Sequence, residues 1–126
     1  DLEISVAVVQ LKEDQDPVSI PAQRDLGYPL QKLADTYYIA DDRATGLPFE
    51  DRALGIMRWI DQQEPGDRLN ILDLATALDR TASYYDDPTV YLQEALALLQ
   101  GLKARGELPE MYESWITNYQ SRLGGN

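Results

Sequence analysis

The chain's 126 residues suit one domain, and an apolar share of 44% provides for a continuous core, which excludes a disordered acidic tail. A net charge of −11, from 22 acids and 11 bases, repels nucleic-acid phosphates and favours basic or neutral partners. With no cysteine and no histidine, disulfides, thiol nucleophiles, Cys/His zinc sites and His-based triads are all excluded.

The N-terminus reads Asp1-Leu2-Glu3 and lacks both an initiator Met and the basic start of a signal peptide, so a fragment or a processed chain is expected. In the stretch that follows, Ile4, Ala7, Val8 and Leu11 fit a helix, while Leu2, Ile4, Val6 and Val8 fit a strand. A helix is preferred because the rest of the chain reads as helical. Pro17, Pro21 and Gly27 then mark a loop.

A helix is expected from Pro29 to about Ala40, with Leu30, Leu33, Ala34 and Tyr37 on its apolar stripe. The next runs from Pro48 to about Gln63. Its stripe is Phe49, Ala53, Ile56, Met57 and Ile60, with Glu50 and Asp51 in the first turn, where carboxylates suit the helix dipole. Glu64-Pro65-Gly66-Asp67 breaks the chain, and Asp67 is the N-cap of a third helix from Arg68 to Tyr85. That helix turns Ile71, Leu74, Ala75, Leu78, Ala82 and Tyr85 to one side.

Asp87 is expected to cap the fourth helix, with Pro88 in its first position. Tyr91, Leu92, Ala95, Leu96, Leu99 and Leu102 make its stripe, and Lys103, Arg105 and Gly106 suit its end. A last helix starts at Pro109, carries Tyr112, Trp115, Ile116, Tyr119 and Leu123, and closes at Gly124-Gly125. No apolar run approaches the roughly 18 residues that cross a bilayer, so membrane insertion is not expected.

Internal repetition is the most informative feature. Leu33-Ala34-Asp35-Thr36-Tyr37 aligns with Leu74-Ala75-Thr76-Ala77-Leu78, 41 positions on (33 to 74), and again with Trp115-Ile116-Thr117-Asn118-Tyr119, another 41 on (74 to 115). Arg52-Ala53-Leu54 aligns with Glu94-Ala95-Leu96, 42 positions on (53 to 95). These residues resemble the tetratricopeptide family, whose first helix carries a large residue, a small one and an aromatic at the spacing L-A-x-x-Y. Leu33-Ala34 with Tyr37 matches fully; Leu78 replaces the aromatic in the second copy, and Ile116 replaces the small residue in the third. Ala53 and Ala95 fit the small position of the family's second helix. The usual period is about 34 residues; the longer one here is similar to the long-helix variety found in kinesin light chains.

The resemblance implies an all-α fold of stacked antiparallel helix hairpins, a TPR-like right-handed superhelix in one domain. Its units are residues 1–13 (a half unit), 28–64, 68–106 and 109–123 (a half unit). It also implies a protein–protein interaction module that holds a partner protein or peptide in a concave groove lined by the first helices. Carried over residue by residue, the partner-binding positions are Gln31, Asp35, Tyr38, Thr76, Asp79, Arg80, Thr117 and Gln120. Asp35 and Asp79 would receive a lysine or arginine, and Tyr38 an apolar side chain.

The alternative is a small acidic inhibitor or immunity-type protein that masks a basic surface. Both ends of the chain are apolar enough to accept further packing, so self-association is a third expectation. The many tyrosines read as packing residues. Asp41-Asp42 and Asp86-Asp87 are the obvious carboxylate pairs, and both fall at helix ends, where Asp favours caps. No catalytic motif appears, so neither enzymatic activity nor a cofactor or metal is expected.

Overall fold

The structure, a computed structural model, describes residues 19–124. The expected fold class holds at its coarser level. Among the described residues there are five α-helices and one 3-10 turn, with no strand. None of these helices is long and apolar enough to cross a membrane. The expected helix over residues 1–13 lies outside the described residues. The chain divides into two compact units, Asp1–Gln63 and Glu64–Asn126.

The described part of the first unit is a hairpin of α1 (Ile20–Ile39) and α2 (Arg43–Gln63). Helix α1 starts nine residues before the expected Pro29 because Ser19 caps it, its hydroxyl accepting the Ala22 N–H at 3.3 Å. Pro21, expected in a loop, lies in the first turn, where its missing N–H leaves no helical bond unmade. Gly27, also expected in that loop, is buried inside the helix. A Cβ there would lie 2.8 Å from Met57 Cε, so the absent side chain is what lets α2 approach. Pro29 sits mid-helix rather than at its start, and removes one i→i−4 bond, the one that would reach Asp25.

Three residues join the two helices, so α2 folds back on α1. Asp41 turns the corner with φ 60°, a left-handed conformation. The Asp42 N–H closes the turn on the Tyr37 carbonyl at 2.8 Å. The Asp42 carboxylate then accepts the Thr45 N–H at 3.3 Å and starts α2 five residues ahead of the expected Pro48, which becomes an interior residue. Glu50 is therefore the eighth residue of the helix and is buried, at 1% exposure, rather than in its first turn. Leu26, Leu30, Leu33 and Ala34 of α1 and Ala53, Leu54, Ile56, Met57 and Ile60 of α2 form this unit's buried apolar set.

The second unit pairs α3 (Arg68–Ala82) with α4 (Thr89–Ala104), followed by a 3-10 turn (Glu110–Tyr112) and α5 (Glu113–Leu123). Asp67 caps α3 as expected, accepting the Asn70 N–H at 3.0 Å. The helix stops at Ala82, three residues short of Tyr85, because the N–H groups of Ser83, Tyr84 and Tyr85 reach back only three residues, to Arg80, Thr81 and Ala82. Tyr85 leaves the expected stripe and stacks on Tyr91 at 5.2 Å.

At the start of α4, Pro88 takes the cap position, without a side-chain bond of its own. Asp87 accepts both the N–H and the hydroxyl of Thr89, at 3.1 and 2.6 Å. These bonds hold its carboxyl below the usual range. Gly106 ends the hairpin at φ 73°, as expected of a glycine after a helix. Pro109 precedes a 3-10 turn rather than the last helix itself. Leu74, Ala75, Leu78, Leu92, Ala95, Leu99 and Leu102 are all buried, joined by Ile116 and Tyr119 of α5, which packs on α4.

Candidate functional site

In the first unit, Gln31, Asp35 and Tyr38 fall at i, i+4 and i+7, on one side of α1. All three are half-buried. The Arg43 guanidinium lies 4.7 Å from the centre of the Tyr38 ring. That cation–π contact occupies one face of the side chain expected to anchor an apolar group. Its neighbour Tyr37 faces the other way and stacks on Phe49 of α2, with centroids 5.9 Å apart and planes 7° from parallel.

In the second unit, Thr76, Asp79 and Arg80 are half-buried on α3, while Thr117 and Gln120 are exposed on α5. Asp79 has an internal partner: the Tyr119 hydroxyl donates to its Oδ1 at 2.6 Å. Burial of the phenol, with this bond to a carboxylate, pushes the Tyr119 hydroxyl well above the ordinary tyrosine value. Tyr119 thus donates as a neutral phenol at all physiological pH values.

Around this bond lies a shallow depression of about 410 Å³, lined by Asp79, Ser114, Trp115, Asn118 and Tyr119. Helix α5 repeats its lining residues one turn apart: Trp115 and Tyr119 at i and i+4, Ser114 and Asn118 likewise. Trp115 packs edge-on against Tyr112 at 4.7 Å and Tyr119 at 6.3 Å. These contacts fix the indole where it borders the depression. Asn118 accepts an Arg122 N–H at 3.4 Å.

Of the eight positions carried over from the resemblance, only Asp79 lines this depression. Sequence reasoning took Trp115 and Tyr119 as packing residues and passed over Ser114 and Asn118. Asp79 and Tyr119 are 40 residues apart in sequence, and no local pattern signals their meeting. Among the described residues no group of three or more His, Cys, Asp or Glu side chains is placed to hold a metal ion. Asp42 and Asp87 bond backbone N–H groups instead.

The large and small positions of the repeat match between the first two copies, whereas the aromatic position does not: Tyr37 is half-buried and Leu78 buried. Leu33 and Leu74 are each 4% exposed, and Ala34 and Ala75 each 0%. Ala53 and Ala95, in the helices that follow, are also 0% exposed. Ile116 and Tyr119 of the third copy are buried as well. Compared with known proteins, the chain matches no family model, no curated protein and no solved structure.

Proposed function

We propose that this chain is a protein-binding module of TPR-like helical hairpins that grips a partner protein or peptide and performs no chemistry. One observation carries the reading: Leu33 and Leu74 are buried to the same depth, as are the small residues Ala34 and Ala75 and, in the helices that follow, Ala53 and Ala95. Such repetition suits units that share seams, because an amphipathic hairpin alone cannot cover both of its apolar stripes. The 41-residue period supports stacking of the units into a right-handed superhelix.

In this reading the α1 side bearing Gln31, Asp35 and Tyr38 and the α3–α5 positions Thr76, Asp79, Arg80, Thr117 and Gln120 contact the partner. Two carboxylates, Asp35 and Asp79, and one aromatic ring, Tyr38, suit a partner with basic and apolar side chains. The net charge of −11 steers such a partner towards the chain.

The test is capture of a partner from an extract of the source cells, with the wild-type chain beside a triple variant, Asp35→Ala, Tyr38→Ala and Asp79→Ala. A partner that the wild type retains and the triple variant loses is the expected outcome. Equal recovery by both would remove these residues from the binding surface. Solution mass measured against concentration separates partner binding from self-association: a strict monomer at high concentration excludes the latter.

A further inference from the structure

We infer that the depression beside Asp79 is a receptor for a single basic side chain, arginine or lysine, presented by the partner. This rests on the partner-binding reading and adds the chemistry that is recognised.

Three observations point the same way. First, the Tyr119 hydroxyl bonds Oδ1 of Asp79, and no other hydrogen bond reaches that carboxylate from the described residues. The phenol fixes the carboxylate's direction and leaves Oδ2 for an incoming donor. Second, the charge sits beside aromatic surface. Of the aromatic side chains tryptophan attracts cations most strongly, and Trp115 is held in place by Tyr112 and Tyr119. Third, the rim adds acceptors for further N–H groups of a guanidinium: the Ser114 oxygen, whose proton goes to the Met111 carbonyl, and the second lone pair of Asn118 Oδ1, whose first takes the Arg122 N–H.

Other ligand classes fit less well. An anion would meet Asp79. A bare metal ion would find a single carboxylate where hard cations take six or so oxygens. A purely apolar group would strand the carboxylate's open oxygen in a drier site without a donor. Arg122, bonded to Asn118, borders the site without lining it; its charge reaches the Tyr119 hydroxyl, but Asp79 is the one charged residue that lines the depression.

The experiment is a titration of the full chain, followed through its backbone and indole N–H resonances in two-dimensional NMR. The probes are N-acetyl-arginine amide, N-acetyl-lysine amide and N-acetyl-citrulline amide, the last being a neutral mimic of arginine. The wild type is expected to bind arginine or lysine saturably, with a dissociation constant on the order of millimolar and shifts centred on Trp115 and Asn118. Citrulline is expected to bind about tenfold more weakly, since only the charge is lost. Asp79→Asn keeps an acceptor but removes the charge, and should weaken arginine binding about tenfold. Tyr119→Phe, which releases Oδ1, should retain binding.

Absence of a saturable response to both basic probes overturns the inference, as does citrulline binding as tightly as arginine. The comparison of probes uses only the wild-type chain and therefore does not depend on how any variant folds. A chain that captures a partner but ignores the basic probes loses this pocket and keeps the broader reading. One that binds the probes but no partner loses the broader reading alone.

Discussion

The two hairpins solve one packing problem with different parts. In α3/α4 the devices are those expected of each position: an Asp cap at residue 67, a glycine at φ 73° after α4, and alanines at the seams. In α1/α2 the same seam residues recur, but around them stand two interior prolines, a glycine pressed against Met57, an aspartate at positive φ and a buried glutamate. The leucine and alanine positions of the repeat are buried alike in both hairpins, and the rest of each hairpin varies around them. Polar chemistry differs most. The first unit covers a tyrosine with an arginine, whereas the second holds a carboxylate with a phenol beside an open depression.

The largest effect that would break this equivalence comes from truncating a leucine at the heart of each hairpin. Leu30→Ala and Leu99→Ala remove fully buried side chains and should each cost about 2–5 kcal/mol. Urea denaturation checks this, and losses of similar size in the two units support matching cores. Next come the small seam residues. Ala34→Leu and Ala75→Leu overpack positions with no exposed surface and should each cost about 1–3 kcal/mol by the same measurement. A cost in only one of them would show that the seams are not alike.

The phenol–carboxylate pair distinguishes the second unit by its response to alkali. Tyr119 has a raised folded-state pKa, so the fold favours its neutral form. Its contribution is complete below the unfolded value of about 10 and is lost as the pH climbs above it. Thermal melts between pH 9 and 11.5 should show a steeper alkaline loss in the wild type than in Tyr119→Phe. The smallest effect falls in the first unit's turn. Asp41→Gly relieves a left-handed residue and should stabilise by up to ~1 kcal/mol, measurable as a rise in Tm.

Much of the fold was legible from local spacing, because a buried stripe forces apolar residues into a 3.6-residue period. The apolar stripes of α2 and α3 and the core of α4 follow that rule, as does the cap at Asp67. The start of α1 was not legible. Pro21 and Gly27 are strong loop signals, yet one is harmless in a first helical turn and the other is demanded by a close helix crossing that only the three-dimensional packing reveals. The burial of Glu50 was hidden for a related reason: moving the start of α2 from Pro48 to Arg43 carries that residue out of the first turn. At the candidate site, Asp79 was legible as a polar position beside a repeat motif. Its pairing with Tyr119 was not, since the two sit on different helices and neither spacing nor composition brings them together.

The most direct measurement grafts one copy of the repeat onto the other. Asp35→Thr, Thr36→Ala and Tyr37→Leu together give the first unit the motif of the second, Leu74-Ala75-Thr76-Ala77-Leu78. If the two copies are equivalent, the graft loses the Tyr37–Phe49 stacking, the exposed Thr36 hydroxyl's bond to the Lys32 carbonyl and the interactions of Asp35, and nothing of the core. It should then unfold cooperatively in urea within about 0.5–1.5 kcal/mol of the wild type. A graft that loses its helical circular-dichroism signal, or falls by more than about 3 kcal/mol, as when a core position is truncated, would contradict the equivalence of the two units.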